Sequence, residues 1–312
     1  MMLAACAESK VGPETGTVPE VIPLGDEYDL TSDQAYPESV AWDPDTRTFF
    51  TTSLGVGDLT AVAADGTETV FWAGESGGTA TVGLEVDSTR RRLWACQIHI
   101  DSSSPGRLLA FDLDTKAQLA NFDLGEAAPG ASCTDVNFDV DGIAFVTDRE
   151  NGAIYRVDLD EGTPTVWSDA SALDPEIIGS NGITFTADGK YLIVTKYLSA
   201  KLIRITVNDP TEAVEIDLGG DLFGSSGLNG ADDAVFLDGK LYVTLVDQLM
   251  TVTPDDDTWG SATVSATAIP GGGVSGLAVA EGKIYGANVQ AVEFTLGQPA
   301  SLPFSIRSVA TP

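Results

Sequence analysis

The chain of 312 residues, 43% of them apolar, is long enough to bury a substantial core. Its 16 basic residues stand against 47 acidic ones, a formal net charge of −31. So negative a surface repels phosphate backbones and anionic headgroups, which excludes nucleic-acid partners; it favours solubility and gathers cations, but by itself makes no calcium site.

In chain order, Leu3-Ala4-Ala5-Cys6 reads like a bacterial lipobox, the small-residue cleavage site before a lipid-modified cysteine. Only Met1 and Met2 precede it, so either the start is shortened or the match is chance. The following residues are polar and rich in Pro, Gly and Thr, as a tether would be. Residues 1–19 are therefore expected to be a lipobox-like remnant and flexible tether, and residues 20–312 a single domain. A real lipobox implies export and a lipid anchor at Cys6; otherwise the protein is expected in the cytoplasm. No stretch of 18 apolar residues predicts a membrane-spanning helix. Cys96 and Cys133 pair if the protein is exported and are buried thiols if it is not.

The segment Glu20 to Leu30 reads as a strand, and a six-fold recurrence follows it. The copies begin PESVAWD at Pro37, TVGLEVD at Thr81, CTDVNFD at Cys133, SNGITFT at Ser180, ADDAVFL at Ala231 and VSGLAVA at Val274. Their second residues, the key positions, are Glu38, Val82, Thr134, Asn181, Asp232 and Ser275, spaced 43 to 52 residues apart. That period suits four-stranded propeller blades. Tight-turn pairs come next in four copies: Asp141-Gly142, Asp188-Gly189, Asp238-Gly239 and Glu281-Gly282. Second strands such as IAFVTD and YLIVTKY and third strands such as AIYRVDLD rise after them. Short β-branched and aromatic runs without helical periodicity predict an all-β chain. The expected fold is a six-bladed β-propeller, four antiparallel strands per blade, with Glu20 to Leu30 closing the ring.

In such a ring the starts of the first strands and the ends of the second strands surround one opening. Glu38, Thr134, Asp135, Asn181, Asp232 and Asp233 are expected to meet there, with Ser53, His99, Arg149, Lys196, Tyr197, Asp247 and Asn288 on the rim. Calcium takes six to eight oxygen ligands. Glu38, Asn181 and Asp232 supply two carboxylates and an amide oxygen, leaving room for water and substrate. Zinc is disfavoured, because the chain has one His and three scattered Cys.

The stretches PESVAWDP (from Pro37), SNGITFTADGKYLIV (from Ser180) and ADDAVFLDGKLYV (from Ala231) resemble the regucalcin/gluconolactonase family of six-bladed propellers. The resemblance runs over residues 37 to 290 and implies a divalent metal, most naturally calcium, on Glu38, Asn181 and Asp232. DVNFDVDGIAFVTDRENGAIYRVD, from Asp135, is similar to bacterial sugar-lactone lactonase members of that family. Departures are Thr134-Asp135 where the family has Asn-Asp, Asp232-Asp233 where it has Asp-Gly, and Val40 where it usually has Pro. The implied function is calcium-dependent hydrolysis of small lactones or esters, with Asp232 or Asp135 activating water or attacking directly. The alternatives are a phosphotriesterase on the same site and a non-catalytic ligand- or protein-binding propeller with structural calcium. Thr134, His99, Arg149, Lys196, Tyr197, Asp247 and Asn288 are the expected substrate contacts; the partner is a small molecule and the protein a monomer. The G-x-S-x-G match at Gly74 to Gly78 has no following helix and predicts no serine nucleophile.

Overall fold

The computed structural model describes residues 22–75, 78–175, 179–220, 230–245, 247–269 and 271–309. Cys6 and the lipobox-like stretch lie outside them, as do Ser76 and Gly77 of the G-x-S-x-G match. The described residues form six four-stranded antiparallel sheets, one per sequence copy. Blade one comprises Val40–Asp43, Thr48–Thr51, Leu59–Ala63 and Glu68–Trp72. Blade two comprises Thr79–Asp87, Arg92–His99, Arg107–Asp112 and Gln118–Asp123. Blade three has Val136–Phe138, Ala144–Asp148, Ala153–Val157 and Thr165–Ser168. Blade four has Ser180–Phe185, Tyr191–Lys196, Lys201–Thr206 and Asp209–Glu215, and blade five Ala231–Leu237, Lys240–Leu245, Gln248–Pro254 and Ala262–Ala268.

Blade six takes three strands from the end of the chain, Leu277–Ala280, Lys283–Ala287 and Ser305–Val309, and its outermost from the beginning, Glu27–Asp29. Glu27 pairs with Arg307 and Asp29 with Ser305, so the ring is closed by main-chain hydrogen bonds between the two ends of the domain. Tyr28 carries the closure inward, stacking against Phe49 of blade one and Tyr285 of blade six. Apolar side chains fill the wedges between neighbouring blades. Trp94, Leu108 and Tyr155, all fully buried, pack blade two against blade three, and burial of each such side chain stabilises by about 1.5–3 kcal/mol. Asp238-Gly239 and Glu281-Gly282 make their hairpins with both residues at positive φ, the conformation that matches strand twist.

The first strands are irregular where the key positions lie. In blades two, four and five the register slips by one residue, so that two residues of the first strand face one of the second. The pairs are Val82-Gly83 opposite Cys96, Asn181-Gly182 opposite Thr195, and Asp232-Asp233 opposite Thr244. Blade three does the same with Thr134-Asp135 about Thr147, whose amide and carbonyl bond Asp135 O and Thr134 N. A bulge of this kind re-aims side chains; here Asn181 and Asp232 reach the axial cavity, while Val82 packs in the core between blades two and three.

The residue opposite the bulge then ties its blade to the next. The hydroxyls of Thr147, Thr195 and Thr244 donate to the carbonyls of Asn181 (2.6 Å), Asp232 (2.9 Å) and Ser275 (2.9 Å), the key residues one blade onward. Blade two has Cys96 at this position, and Cys96 forms a disulfide with Cys133, the residue before the key Thr134 of blade three. One covalent bond thus stands where blades three, four and five use a hydroxyl link.

Candidate active site

Glu38, Asp135, Asn181, Asp232 and Asp233 line one small cavity of about 10 Å³ at the start of the first strands, room for a single water or ion. The residue after each key position alternates around the ring: Ser39, Gly83, Asp135, Gly182, Asp233, Gly276. The glycines are required by close approach. A Cβ on Gly83 would lie 2.3 Å from Asp135 Oδ1, one on Gly182 2.6 Å from the Asp232 carbonyl, and one on Gly276 2.4 Å from Ser39 Cα. Odd-numbered blades therefore fill the space that even-numbered blades leave. Asp135 Oδ2 reaches past Gly182 to accept the Ile183 amide (3.1 Å), and Asp233 Oδ2 past Gly276 to the Leu277 amide (2.7 Å). The repeat alignment already held this alternation, which sequence reading at the key position alone missed.

Asp232 is bonded at both oxygens: Asn181 Nδ2 donates to Oδ1 (2.6 Å) and Ser275 Oγ to Oδ2 (2.9 Å). Asn181 Oδ1 takes no hydrogen bond from a described residue. Glu38 Oε2 is buried and has no partner at all among them. Loss of water pushes the Asp232 carboxyl up to about 6, opposed by the Ser275 and Asn181 hydrogen bonds and the Arg149 charge. Asp233 rises to about 7, again by desolvation, with the neighbouring Asp232 charge adding to it against the Leu277 and Ala234 amides. Glu38 lies well above the carboxylate range through desolvation and repulsion from Asp232 and Asp233, and Asp135 through desolvation and Asp233. Partly buried Glu85, a residue sequence reasoning did not single out, rises to about 8 for want of water.

The expected substrate contacts are spread more widely, and none lines this cavity. Thr134 Oγ1 accepts the Arg149 amide (3.3 Å). The Arg149 guanidinium contacts Glu150 (3.3 Å) while its charge reaches Glu38 and Asp232. Tyr197 is near enough that Asp232 and Glu38, after burial, help push its phenol to about 12. Lys196 Nζ donates to the Asp174 carbonyl (2.6 Å). His99 ends a strand opposite Thr79, Asp247 is exposed at a turn with its carbonyl on the Ile269 amide, and the Asn288 amide donates to Ser305.

Among the described residues no three His, Cys, Asp or Glu side chains gather in positions to hold a metal. A site on Glu38, Asn181 and Asp232 would thus need the amide oxygen as a full member. The donor set is all oxygen, and a buried carboxylate oxygen and an amide oxygen that take no hydrogen bond from the described residues fit a hard cation.

No protein-family model matches the chain, and no curated protein sequence does. Solved structures do share its fold. The major allergen Mala s 1 of Malassezia sympodialis superposes with a TM-score of 0.71 at 19% identity, over 92% of this chain and 96% of that one. The gluconolactonase XC5397 from Xanthomonas campestris gives 0.62 at 17% identity, over 93% and 92%. The calcium-binding protein regucalcin from Agrobacterium tumefaciens gives 0.62 at 15% identity, over 95% and 98%. At these identities the likeness is one of fold, and that fold is the six-bladed propeller the resemblance implied.

Proposed function

We propose that the protein hydrolyses small lactones or esters at the mouth of its central channel, with a divalent cation, calcium by the nature of the donors, on Glu38, Asn181 and Asp232. The observation that carries this reading is Glu38 Oε2, buried without a partner among the described residues in the same small cavity as the other two residues. Propellers of this shape include a gluconolactonase and a calcium-binding regucalcin, which supports the substrate class and the metal. When bound, the cation supplies polarisation of the carbonyl oxygen as negative charge develops there.

The chain's own residues do the rest. Asp232, held at both oxygens by Asn181 and Ser275, stays ionised beside the cation and takes a proton from water as the water's oxygen bonds to the carbonyl carbon. The ring or ester C–O bond then breaks and the same proton goes to the departing oxygen, giving a hydroxy acid from a lactone. Ser275 and Asn181 fix the orientation of Asp232 throughout. Tyr197 stays protonated, so it offers a donor at the mouth, and Arg149 brings the positive charge an anionic product needs. Cys96–Cys133 favours an oxidising, exported setting.

The test is turnover of lactones, aryl esters and phosphotriesters, each with calcium, magnesium, manganese, zinc or chelator. Lactone hydrolysis with calcium, falling at least ~100-fold in Asp232→Asn while the circular dichroism spectrum holds, is the expected result. Equal activity in the variant removes Asp232 from the mechanism. One observation favours ligand binding without turnover: the Thr134 hydroxyl faces the Arg149 amide instead of the mouth. That reading predicts calcium-dependent ligand binding with no product from any panel member.

A further inference from the structure

Beneath Asp135 and Asp233, which line both spaces, the channel widens into a second chamber of about 270 Å³. Three residues after its key position, each first strand contributes one side chain to the wall: Ala41, Glu85, Asn137, Thr184, Val235 and Ala278. Their distribution is one-sided. Glu85, Asn137 and Thr184 come from consecutive blades two, three and four, and the apolar three from blades five, six and one. Among the described residues no Lys, Arg or His lines the chamber.

The polar wall keeps hydrogen-bonding capacity in reserve. Glu85 Oε1 accepts the Val86 amide (3.0 Å) and Asn137 Oδ1 the Phe138 amide (2.8 Å). Glu85 Oε2 and Asn137 Nδ2 make no hydrogen bond to a described residue. Thr184 is only 7% exposed, and its hydroxyl likewise has no partner among the described residues. These atoms are open to the chamber, whose occupant can take up their hydrogen bonds. Water alone would do so, but water gains nothing from the apolar wall opposite. A molecule with one cationic end, one hydroxyl and a short carbon chain matches all three features.

We infer that this lower chamber is a second binding site, separate from the mouth, for a small amino alcohol. Its ammonium group sits on Glu85, whose carboxyl gives up its proton to solvent on binding, its hydroxyl between Asn137 and Thr184, and its carbon chain against Ala41, Val235 and Ala278.

Titration calorimetry on the full-length protein in calcium tests this with ethanolamine and aminopropanol as probes, and propanol and hydroxypropionate as controls. The expected result is saturable one-to-one binding of an amino alcohol and none of either control. Glu85→Gln should weaken it at least ~10-fold and the isosteric Thr184→Val ~3-fold or more, both with unchanged circular dichroism, whereas Asp232→Asn should leave it intact. Absence of saturable binding, equal binding of propanol, unchanged affinity in both chamber variants, or loss in Asp232→Asn alone would each overturn the inference.

Discussion

At the scale of single residues, the channel concentrates negative charge where water is scarce. Asp232, Asp233 and Glu85 have carboxyls raised to about 6, 7 and 8, from 3.8 for an ordinary Asp and 4.5 for Glu. Between pH 4 and 8 the folded protein therefore holds more protons than the unfolded chain, and stability falls as pH rises through that window. Chelator-treated protein should melt several degrees higher at pH 5 than at pH 8.5. Glu85→Gln should flatten the upper part of that fall, and a melting temperature that climbs with pH would contradict the assignment. The trio Glu38, Asn181 and Asp232 was legible in the sequence because three oxygen side chains recur at one position of a repeat. Glu85, Asn137 and Thr184 were not, since their repeat position holds a different residue type in every blade except one pair of alanines. The alignment of the copies puts them at one position, and only the fold shows that this position lines a chamber.

At the scale of elements, the bulge, the glycine and the tie to the next blade form one device. Gly182 has no room for a side chain, because a Cβ would meet the Asp232 carbonyl at 2.6 Å and Asp233 Cα at 2.7 Å, both backbone atoms. Gly182→Ala should cost about 1–3 kcal/mol in urea unfolding and displace Asp232, so activity falls more than stability does. A variant as stable and active as the parent would show that the first strands shift freely. Cys96–Cys133 encloses a separation of 37 residues, for which chain entropy gives about 4 kcal/mol. Because Cys96 stands where blades three, four and five use threonine, Cys96→Thr with Cys133→Ala should be destabilised by that order yet keep more of the site than Cys96→Ala with Cys133→Ala. Equal activity in the two double variants would remove the threonine equivalence. The strand sequences were readable, VTD, VTK and VTL among them, but a hydroxyl reaching into the next blade has no signature in a single copy. The choice between a disulfide and two thiols needed the distance between neighbouring blades.

At the scale of the whole molecule, the spacing of the copies sufficed for six blades, and closure by the early strand followed from the need to leave no open edge. Among the described residues that strand pairs over Glu27–Asp29, and the Leu30 amide carries the same register one step on to the Phe304 carbonyl. The ring makes function depend on convergence: Glu38, Asn181 and Asp232, from blades one, four and five, reach a common cavity although 143 and 51 residues separate them. The most direct test is calcium titration calorimetry on chelator-stripped protein, run alongside Glu38→Gln and Asn181→Ala. The account predicts one calcium per chain in the parent, with a rise in melting temperature, and at least ~10-fold weaker binding in either variant. Parent protein that takes up no calcium, or variants that bind it as the parent does, would contradict it.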